Sequence, residues 1–259
     1  MMFRGRRIRG GTASGKAVVC NGPISFLGGV DARSGRIMDA ECPSKGQSIS
    51  GKVFCFPFGK GSTVGSYALY QLRLNRRAPA AIINASAEPI VATGAIIADV
   101  PMIDGIDVSL LRTGDRLLVD ADNGTVEIEN LTERHVVTCL VRNRGRILLL
   151  QRSDRVGSYN GKWAGVSGFI EEDESDESAA RREMHEEIGR QKAKLAKHVD
   201  TQCFRDGEVM WCVHPFLFDV KDRRIRTDWE HQSSEWIRPD EITRFETVPG
   251  LPQILLRLL

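Results

Sequence analysis

The sequence predicts a two-domain α/β protein with its boundary near residue 130, and three observations carry that reading. The 259 residues are enough for one large domain or two small ones. Short strand patterns with glycine-rich turns fill the first half and close in a hairpin near Glu129. A fresh strand pattern then starts at "RHVVTCLV", and no internal repeat relates it to the first. The domains are set at residues 1–130 and 131–259 on this basis.

The composition, 41% hydrophobic and 27% charged, is that of a globular chain. Through Asn130 there are 15 basic and 12 acidic residues, and beyond it 21 and 22. That balance argues against a nucleic-acid polymer or a membrane surface as a general partner. A secretory leader pattern and an apolar run of membrane-spanning length are both missing, so a cytoplasmic, reduced chain is expected. The six cysteines, at 20, 42, 55, 139, 203 and 212, include no CxxC pair. Cys55, Cys139 and Cys212 lie among apolar residues and are expected as buried free thiols.

Taken in order, "RGRRIRG" (Arg4 to Gly10), a basic cluster that could bind an anion, reads rather as the solvated side of a first strand. "GKAVVC", "GKVFCF" and "AAIIN" are compact apolar strands. Between the last two, "TVGSYALYQLRL" places Val64, Ala68, Leu69 and Leu72 at amphipathic helical spacing. "RLLVDADNGTVEIE" is a hairpin turning at Asp122-Asn123-Gly124. In the second half, "RHVVTCLV" turns at Asn143-Arg144-Gly145 into "RILLLQRS". A long acidic stretch, the strand "VMWCVHPFLFDV", the segment "EWIRPDEI" and a short apolar helix, "PQILLRLL", complete the chain.

Within the acidic stretch, "SAARREMHEEIG" reads as a helix with Asp176 as N-cap and Gly189 as its stop. Ala180, Met184 and Ile188 recur every fourth residue and face the core. Glu183, Glu186 and Glu187 fall at i, i+3 and i+4, so their carboxylates converge on one surface. Arg182 relieves part of the repulsion, and a divalent cation such as Mg²⁺, which favours oxygen ligands, would relieve the rest. The alternative is a plain solvated acidic face.

Spacing decides between these. Gly168 is followed after five residues by Glu174, and after seven more by "REMHEEIG". This resembles the Nudix box, with one departure at its last position, where Arg190 stands for an apolar residue and touches helix packing rather than metal binding. The flanks "LLLQRS", "GKWAGVSGFIE" and "EWIRPDEI" are similar to Nudix segments as well. The resemblance implies an α/β/α sandwich with a mixed sheet. It makes Glu183, Glu186 and Glu187 the Mg²⁺ (or Mn²⁺) ligands, with the Gly168 carbonyl completing the shell. Glu183 or Glu187 would be the general base, Arg182 would orient the glutamates, and Glu174 and Gly189 would support the box. The implied chemistry is attack of water on a nucleoside-diphosphate-like P–O–P linkage. Glu230 in "DWEHQSSEW" is a further base or ligand candidate, and His185, at a free position of the box, is expected to be exposed. Cys203 and Cys212 evoke the isopentenyl-diphosphate isomerases of the same fold, but the box is of the hydrolase type.

The other concentrated feature is "FPFGKGSTVGSY", Phe56 to Tyr67, between a strand and a helix. Its spacing is not that of a P-loop, because Lys60 is followed by Gly61 and Phe54 stands five positions before Gly59. Glycines before Ser62 and Thr63 at a helix entrance still expose backbone N–H groups that favour an anion. A purely structural turn and cap accounts for the same residues equally well.

"GPISFLGGVDARSGRI", "FPFGKGSTVGSYALYQL", "APAAIINASAEPIVATGAIIADVPMID" and "TGDRLLVD" resemble the small subunit of the aconitase X family. The implied fold is the swivelling β/β/α domain of aconitases. The relatives implied are archaeal phosphomevalonate dehydratases, which convert (R)-5-phosphomevalonate to trans-anhydromevalonate 5-phosphate in a modified mevalonate pathway. There a separate large subunit, the expected heterodimer partner, holds a [4Fe–4S] cluster. The small subunit supplies a serine as proton acceptor, and Ser62 is the matching position. Gly59, Lys60, Gly61 and Thr63 would bind the phosphorylated substrate around it. Cys20, Cys42 and Cys55 are then not needed as cluster ligands. Two other roles for the Nudix half are a phosphometabolite sensor without turnover and a docking piece for the large subunit. Loss of assembly on deleting residues after Asn130 would mark the docking piece.

Overall fold

Val53–Phe56 (β4) and Ala81–Asn84 (β5) are buried at every position, as strands covered on both faces must be. They lie at the centre of the first of two units, Met1–Leu131 and Thr132–Leu259, in a computed structural model that describes residues 1–189 and 193–259. The first unit runs β1 (Met2–Arg4), β2 (Arg6–Arg9), β3 (Thr12–Val19), a kinked turn α1 (Phe26–Gly29), β4, α2 (Val64–Leu74), β5, α3 (Pro89–Ile97), β6 (Met102–Asp104), β7 (Arg116–Asp120) and β8 (Thr125–Ile128). The strand order is β1-β8-β7-β3-β4-β5-β6-β2, with β3 to β6 parallel and the rest antiparallel.

Alternation along the strands divides the unit into two cores. Val18, Phe54, Phe56 and Ile82 point to the face where Leu69 and Leu72 of α2 and Val91 and Ala95 of α3 pack. Val19, Val53, Cys55 and Ile83 point to the other face and meet Leu117, Val119, Val126 and Ile128 of the β7–β8 hairpin. Helices, central sheet and hairpin thus form the β/β/α layering expected from the sequence.

Three expectations for this unit are corrected. "RGRRIRG" is not one strand: it breaks at Gly5, so that β1 pairs with β8 at one edge of the sheet and β2 with β6 at the other. Arg6 there makes a bidentate pair with Asp104, at 3.0 and 2.7 Å. Val64 is exposed in the first turn of α2, and the buried stripe begins at Gly65 and Ser66. Cys20 and Cys42 are joined in a disulfide, against the expectation of a fully reduced chain, because the loop after α1 returns Cys42 to the end of β3. Cys55, Cys139 and Cys212 are buried and free, as their apolar neighbours suggested.

The second unit runs β9 (Thr132–Asn143), β10 (Arg146–Arg152), β11 (Trp163–Ala164), β12 (Val166–Phe169), α4 (Asp176–Ile188), β13 (Lys194–His198), β14 (Gln202–Asp206), β15 (Val209–Asp219), β16 (His231–Ile237) and α5 (Leu251–Leu258). β9 and β15 pair in parallel and every other named pair is antiparallel, a mixed sheet. Val137, Cys139, Leu148 and Leu150 face Ala180, Met184 and Ile188 of α4. Leu140, Ile147 and Leu149 face Leu251, Ile254 and Leu255 of α5. The result is an α/β/α sandwich.

Ser175, not Asp176, caps α4: its hydroxyl accepts from Ser178 N at 3.2 Å, and Asp176 is the first helical residue. Gly189 ends the helix at φ 68°, the left-handed conformation that glycine adopts without a Cβ penalty. The departure from the box at Arg190 lies outside the described residues.

Candidate functional site

Two of the three box glutamates are drawn under the protein surface. Helical spacing sets Glu183 and Glu187 one turn apart on the side of α4 that meets β12, and both are buried, while Glu186 stays half-exposed. Gly168 on β12 permits this approach: a Cβ there would overlap the Glu183 carboxylate, which lies against the glycine backbone. The box glycine therefore makes room for its first glutamate.

Arg182 ties the set together. Its Nε and Nη2 donate to the two oxygens of Glu174 at 3.1 and 3.0 Å, and Nη2 also reaches the Phe169 carbonyl at 2.9 Å. Nη1 donates to Glu183 Oε1 at 2.6 Å and Glu186 Oε2 at 3.3 Å. The Arg182 hydrogen bonds hold Glu174 below the usual carboxylate range and raise the arginine's own affinity for its proton. Glu183 is shifted the other way: burial raises it, and Arg182 offsets only part of that rise.

Glu187 is the least satisfied member. One oxygen accepts from Ser167 N at 3.1 Å. The other, Oε2, has His231 Nε2 at 3.3 Å but out of hydrogen-bond alignment, and so has no hydrogen-bond partner among the described residues. Burial first, then Glu183, Glu230 and Asp228, push this carboxyl well above its ordinary range. Burial also raises Glu230. A buried oxygen without a donor, among carboxylates that burial disfavours as anions, fits a divalent cation bound by Glu183, Glu186 and Glu187.

Asp228 and His231 belong to the same cluster. His231 is buried, its Nδ1 lies 3.1 Å from Asp228 Oδ1, and burial lowers its affinity for a proton. An Asp228–His231–Glu187 series therefore backs the acidic helix. Reading the sequence found Glu230 but not its neighbours, since a single histidine beside a glutamate carries no spacing signal.

A cleft of about 760 Å³ opens onto these groups. Arg134, Arg152 and Arg155 line it together with Glu183, Glu186 and Glu230. Phe169 and Trp229, both largely exposed, add aromatic faces, and Trp211 stands 6.2 Å from Phe169 and 6.1 Å from Tyr159 between ring centroids. Guanidinium groups suit phosphate oxygens and the rings suit a planar or apolar moiety. His185 is exposed, as expected.

The loop between β4 and α2 is fixed at its glycines. Phe58 O accepts from Ile24 N at 3.1 Å, and Lys60 N donates to Ile24 O at 2.9 Å. A Cβ at Gly59 would overlap the Glu88 carboxylate, which itself caps α3 by accepting from Ile90 N and Val91 N at 2.7 Å. Gly61, at φ +119°, needs a conformation that L side chains rarely adopt. Ser62 and Thr63 follow, both exposed, and Ser62 O accepts from Gly65 N at 2.8 Å. The Ser62 hydroxyl has no hydrogen-bond partner among the described residues and faces solvent at the helix entrance. Lys60 Nζ lies between Asp39 and Glu41, at 3.6 and 3.5 Å.

Comparison with known proteins divides the chain at the same place. The aconitase X swivel domain family matches residues 2–128, and the NUDIX domain family matches residues 132–258. The phosphomevalonate dehydratase small subunit of Thermococcus kodakarensis is 59% identical over 128 residues, which cover 49% of this chain and 96% of that one. The crystal structure of Thermococcus kodakaraensis aconitase X in its holo-form is similar at 58% identity and TM-score 0.49, over 49% of this chain and 98% of its own. The MutT protein from Methanosarcina mazei Go1 is similar at 26% identity and TM-score 0.45, over 49% of this chain and 93% of its own. No helix among the described residues is long and apolar enough to cross a membrane.

Proposed function

We infer function from kinship: the chain belongs to the aconitase X family of phosphomevalonate dehydratase small subunits through residues 2–128 and to the NUDIX domains through residues 132–258. The first unit is the small-subunit half of a dehydratase that works with a separate large subunit. Together they remove water from (R)-5-phosphomevalonate to give trans-anhydromevalonate 5-phosphate. Near-complete coverage of a relative at 59% identity supports this half. Ser62 is the proton acceptor, and the exposed position of its hydroxyl at the entrance to α2 suits the role. Gly59, Lys60, Gly61 and Thr63 form the surrounding substrate loop, where backbone N–H groups and the helix dipole favour an anion. Cys20 and Cys42 are engaged with each other and Cys55 is sealed in the core, so no set of thiolates in this unit fits a cluster. The [4Fe–4S] group is assigned to the large subunit. Soluble phosphorylated metabolites as substrates favour a cytoplasmic location.

The second unit is a metal-dependent pyrophosphohydrolase. The observation that carries this is the buried Glu187 oxygen without a hydrogen-bond partner, on a helix whose carboxylates open into an arginine-lined cleft. Glu183, Glu186, Glu187 and the Gly168 carbonyl would hold Mg²⁺ or Mn²⁺, which when bound neutralises pyrophosphate charge and makes water a better nucleophile. Arg182 fixes the glutamate rotamers, and Arg134, Arg152 and Arg155 orient the phosphates. Phe169, Trp211 and Trp229 hold a base or apolar group. The carboxylate that takes the water's proton is Glu187 or Glu183, both of which burial makes more basic.

Removing His231 tests how Glu187 is positioned. In His231→Ala, the Mg²⁺ concentration for half-maximal hydrolysis is expected to rise by about 10-fold or more, as when a group supporting a metal ligand is lost. An unchanged Mg²⁺ dependence would show that His231 does not position the carboxylate.

The raised carboxyls also predict a pH effect of definite sign. Glu187 binds its proton more tightly folded than unfolded. Its contribution to stability is full at acid pH and is lost as pH rises from the ordinary carboxylate range towards the folded value. Metal-free Glu187→Gln, permanently neutral, is therefore expected to unfold at higher urea than wild type at neutral pH and at similar urea in acid. Added Mg²⁺ should narrow the neutral-pH difference by stabilising wild type. A variant less stable than metal-free wild type at neutral pH would contradict the electrostatic reading.

A further inference from the structure

A second group of ligating side chains lies in the same unit, on the face of the sheet that α4 covers, near the first residue of that helix and outside the arginine-lined cleft. Glu133 and His135 alternate on β9 and so project from one side of it. Cys212 of β15 is in register with His135, and Cys203 of β14 is in register with Cys212. His214 follows two positions after Cys212 on the same face, and Asp176 opens α4 beside it.

The distances form a continuous series. Glu133 Oε1 is 2.9 Å from His135 Nε2 and 3.9 Å from Cys212 Sγ, which is 3.4 Å from Cys203 Sγ. One donor atom each from Glu133, His135 and Cys212 lie within 4.8 Å of one another. On the far side, His135 Nδ1 is 3.2 Å from His214 Nε2, and His214 Nδ1 is 3.4 Å from Asp176 Oδ2.

A neutral imidazole has one N–H and one lone pair. In the tautomer in which His135 donates from Nδ1 to His214 Nε2, its Nε2 lone pair faces Glu133 Oε1, beside the thiols. His214, held in turn by Asp176 at 3.4 Å and Thr201 at 3.3 Å, then has the form of the second shell that orients a metal-bound imidazole.

We propose that Glu133, His135 and Cys212 bind a zinc-class divalent cation and leave its fourth position open, with Cys203 beside Cys212 at the edge of the site. Carboxylate, imidazole and thiolate are the ligand types zinc combines in one tetrahedron. With zinc–ligand bonds of about 2.0 to 2.3 Å, its edges are about 3.3 to 3.8 Å. The 2.9 and 3.9 Å separations need adjustments of only a few tenths of an ångström to match, and the His135 and Cys212 donor atoms lie within 4.8 Å of each other. The Glu133 and His135 side chains, 37% and 48% exposed, leave a route for the ion. Bound there, it would pin the β14–β15 hairpin to the start of β9. The site is independent of the hydrolase assignment, since it shares no residue with the glutamates proposed to bind Mg²⁺.

Co²⁺ titration of the reduced, metal-free full chain tests the proposal. One equivalent is expected to produce near-ultraviolet thiolate charge-transfer absorption and tetrahedral visible bands, both displaced by Zn²⁺. Cys212→Ser should abolish the charge-transfer band, His135→Gln should weaken the Co²⁺ binding that this band reports by about 100-fold, and Glu187→Gln should leave the charge-transfer band unchanged. If Cys212→Ser does not fold, His135→Gln, at a half-exposed side chain, decides the matter alone. A wild-type spectrum with only weak octahedral bands would overturn the proposal. So would a thiolate band that persists in Cys212→Ser, or Co²⁺ affinity that His135→Gln leaves intact.

Discussion

Glu187→Gln is expected to reduce Mg²⁺-dependent release of nucleotide or phosphate from pyrophosphate-linked substrates by about 10³-fold, some 4 kcal/mol of barrier. The side chain keeps its size and its bond from Ser167 N, so packing changes little. What disappears is a charge that would bind the cation and a base that would take a proton. The loss should fall on kcat, and binding of a non-hydrolysable analogue should weaken far less than turnover. The assay also separates competing roles for this unit. Tight ligand binding by wild type with no turnover across a pyrophosphate library would favour a sensor, and wild-type turnover retained by Glu187→Gln would place the chemistry elsewhere.

Ser62→Ala in the complex with the large subunit is expected to reduce phosphomevalonate dehydration by about 10²- to 10⁴-fold, the range for removing a group that accepts a proton in the transition state. The Ser62 hydroxyl has no partner among the described residues, so little stability should be lost with it. Complex formation, read by co-purification, should survive. The chain without the large subunit should not dehydrate the substrate at all. Dehydration by the isolated chain would show that the assignment of a separate large subunit is wrong.

The features most legible in the sequence were those that periodicity and fixed spacing encode. The compact apolar run in "GKVFCF" pointed to β4, and in the structure strand alternation sorts Val53 and Cys55 into one core and Phe54 and Phe56 into the other. The spacing from Gly168 to Gly189 foretold a helix whose glutamates gather near β12, because helical geometry alone fixes which side chains share a face. It did not foretell that Glu187 would be almost fully buried while Glu186 stays half-exposed. That difference depends on how α4 rolls against the sheet. Capping was misread by one residue: Ser175 and Asp176 are both good caps in isolation, and Asp176 is instead turned towards His214 and His198. Contacts between distant segments were least legible. The Cys20–Cys42 bond, the His231–Glu187 approach and the gathering of Glu133, His135, Cys203 and Cys212 depend on strand order and register, which no local pattern carries.

The central claim is that one chain carries two chemically independent centres, and assaying both reactions on both variants within the complex tests it most directly. Ser62→Ala is predicted to lose dehydration and hydrolyse at the wild-type rate, and Glu187→Gln to lose hydrolysis and dehydrate at the wild-type rate. A single substitution that abolishes both reactions in a folded, assembled complex, or a pair that leaves both intact, would contradict the account.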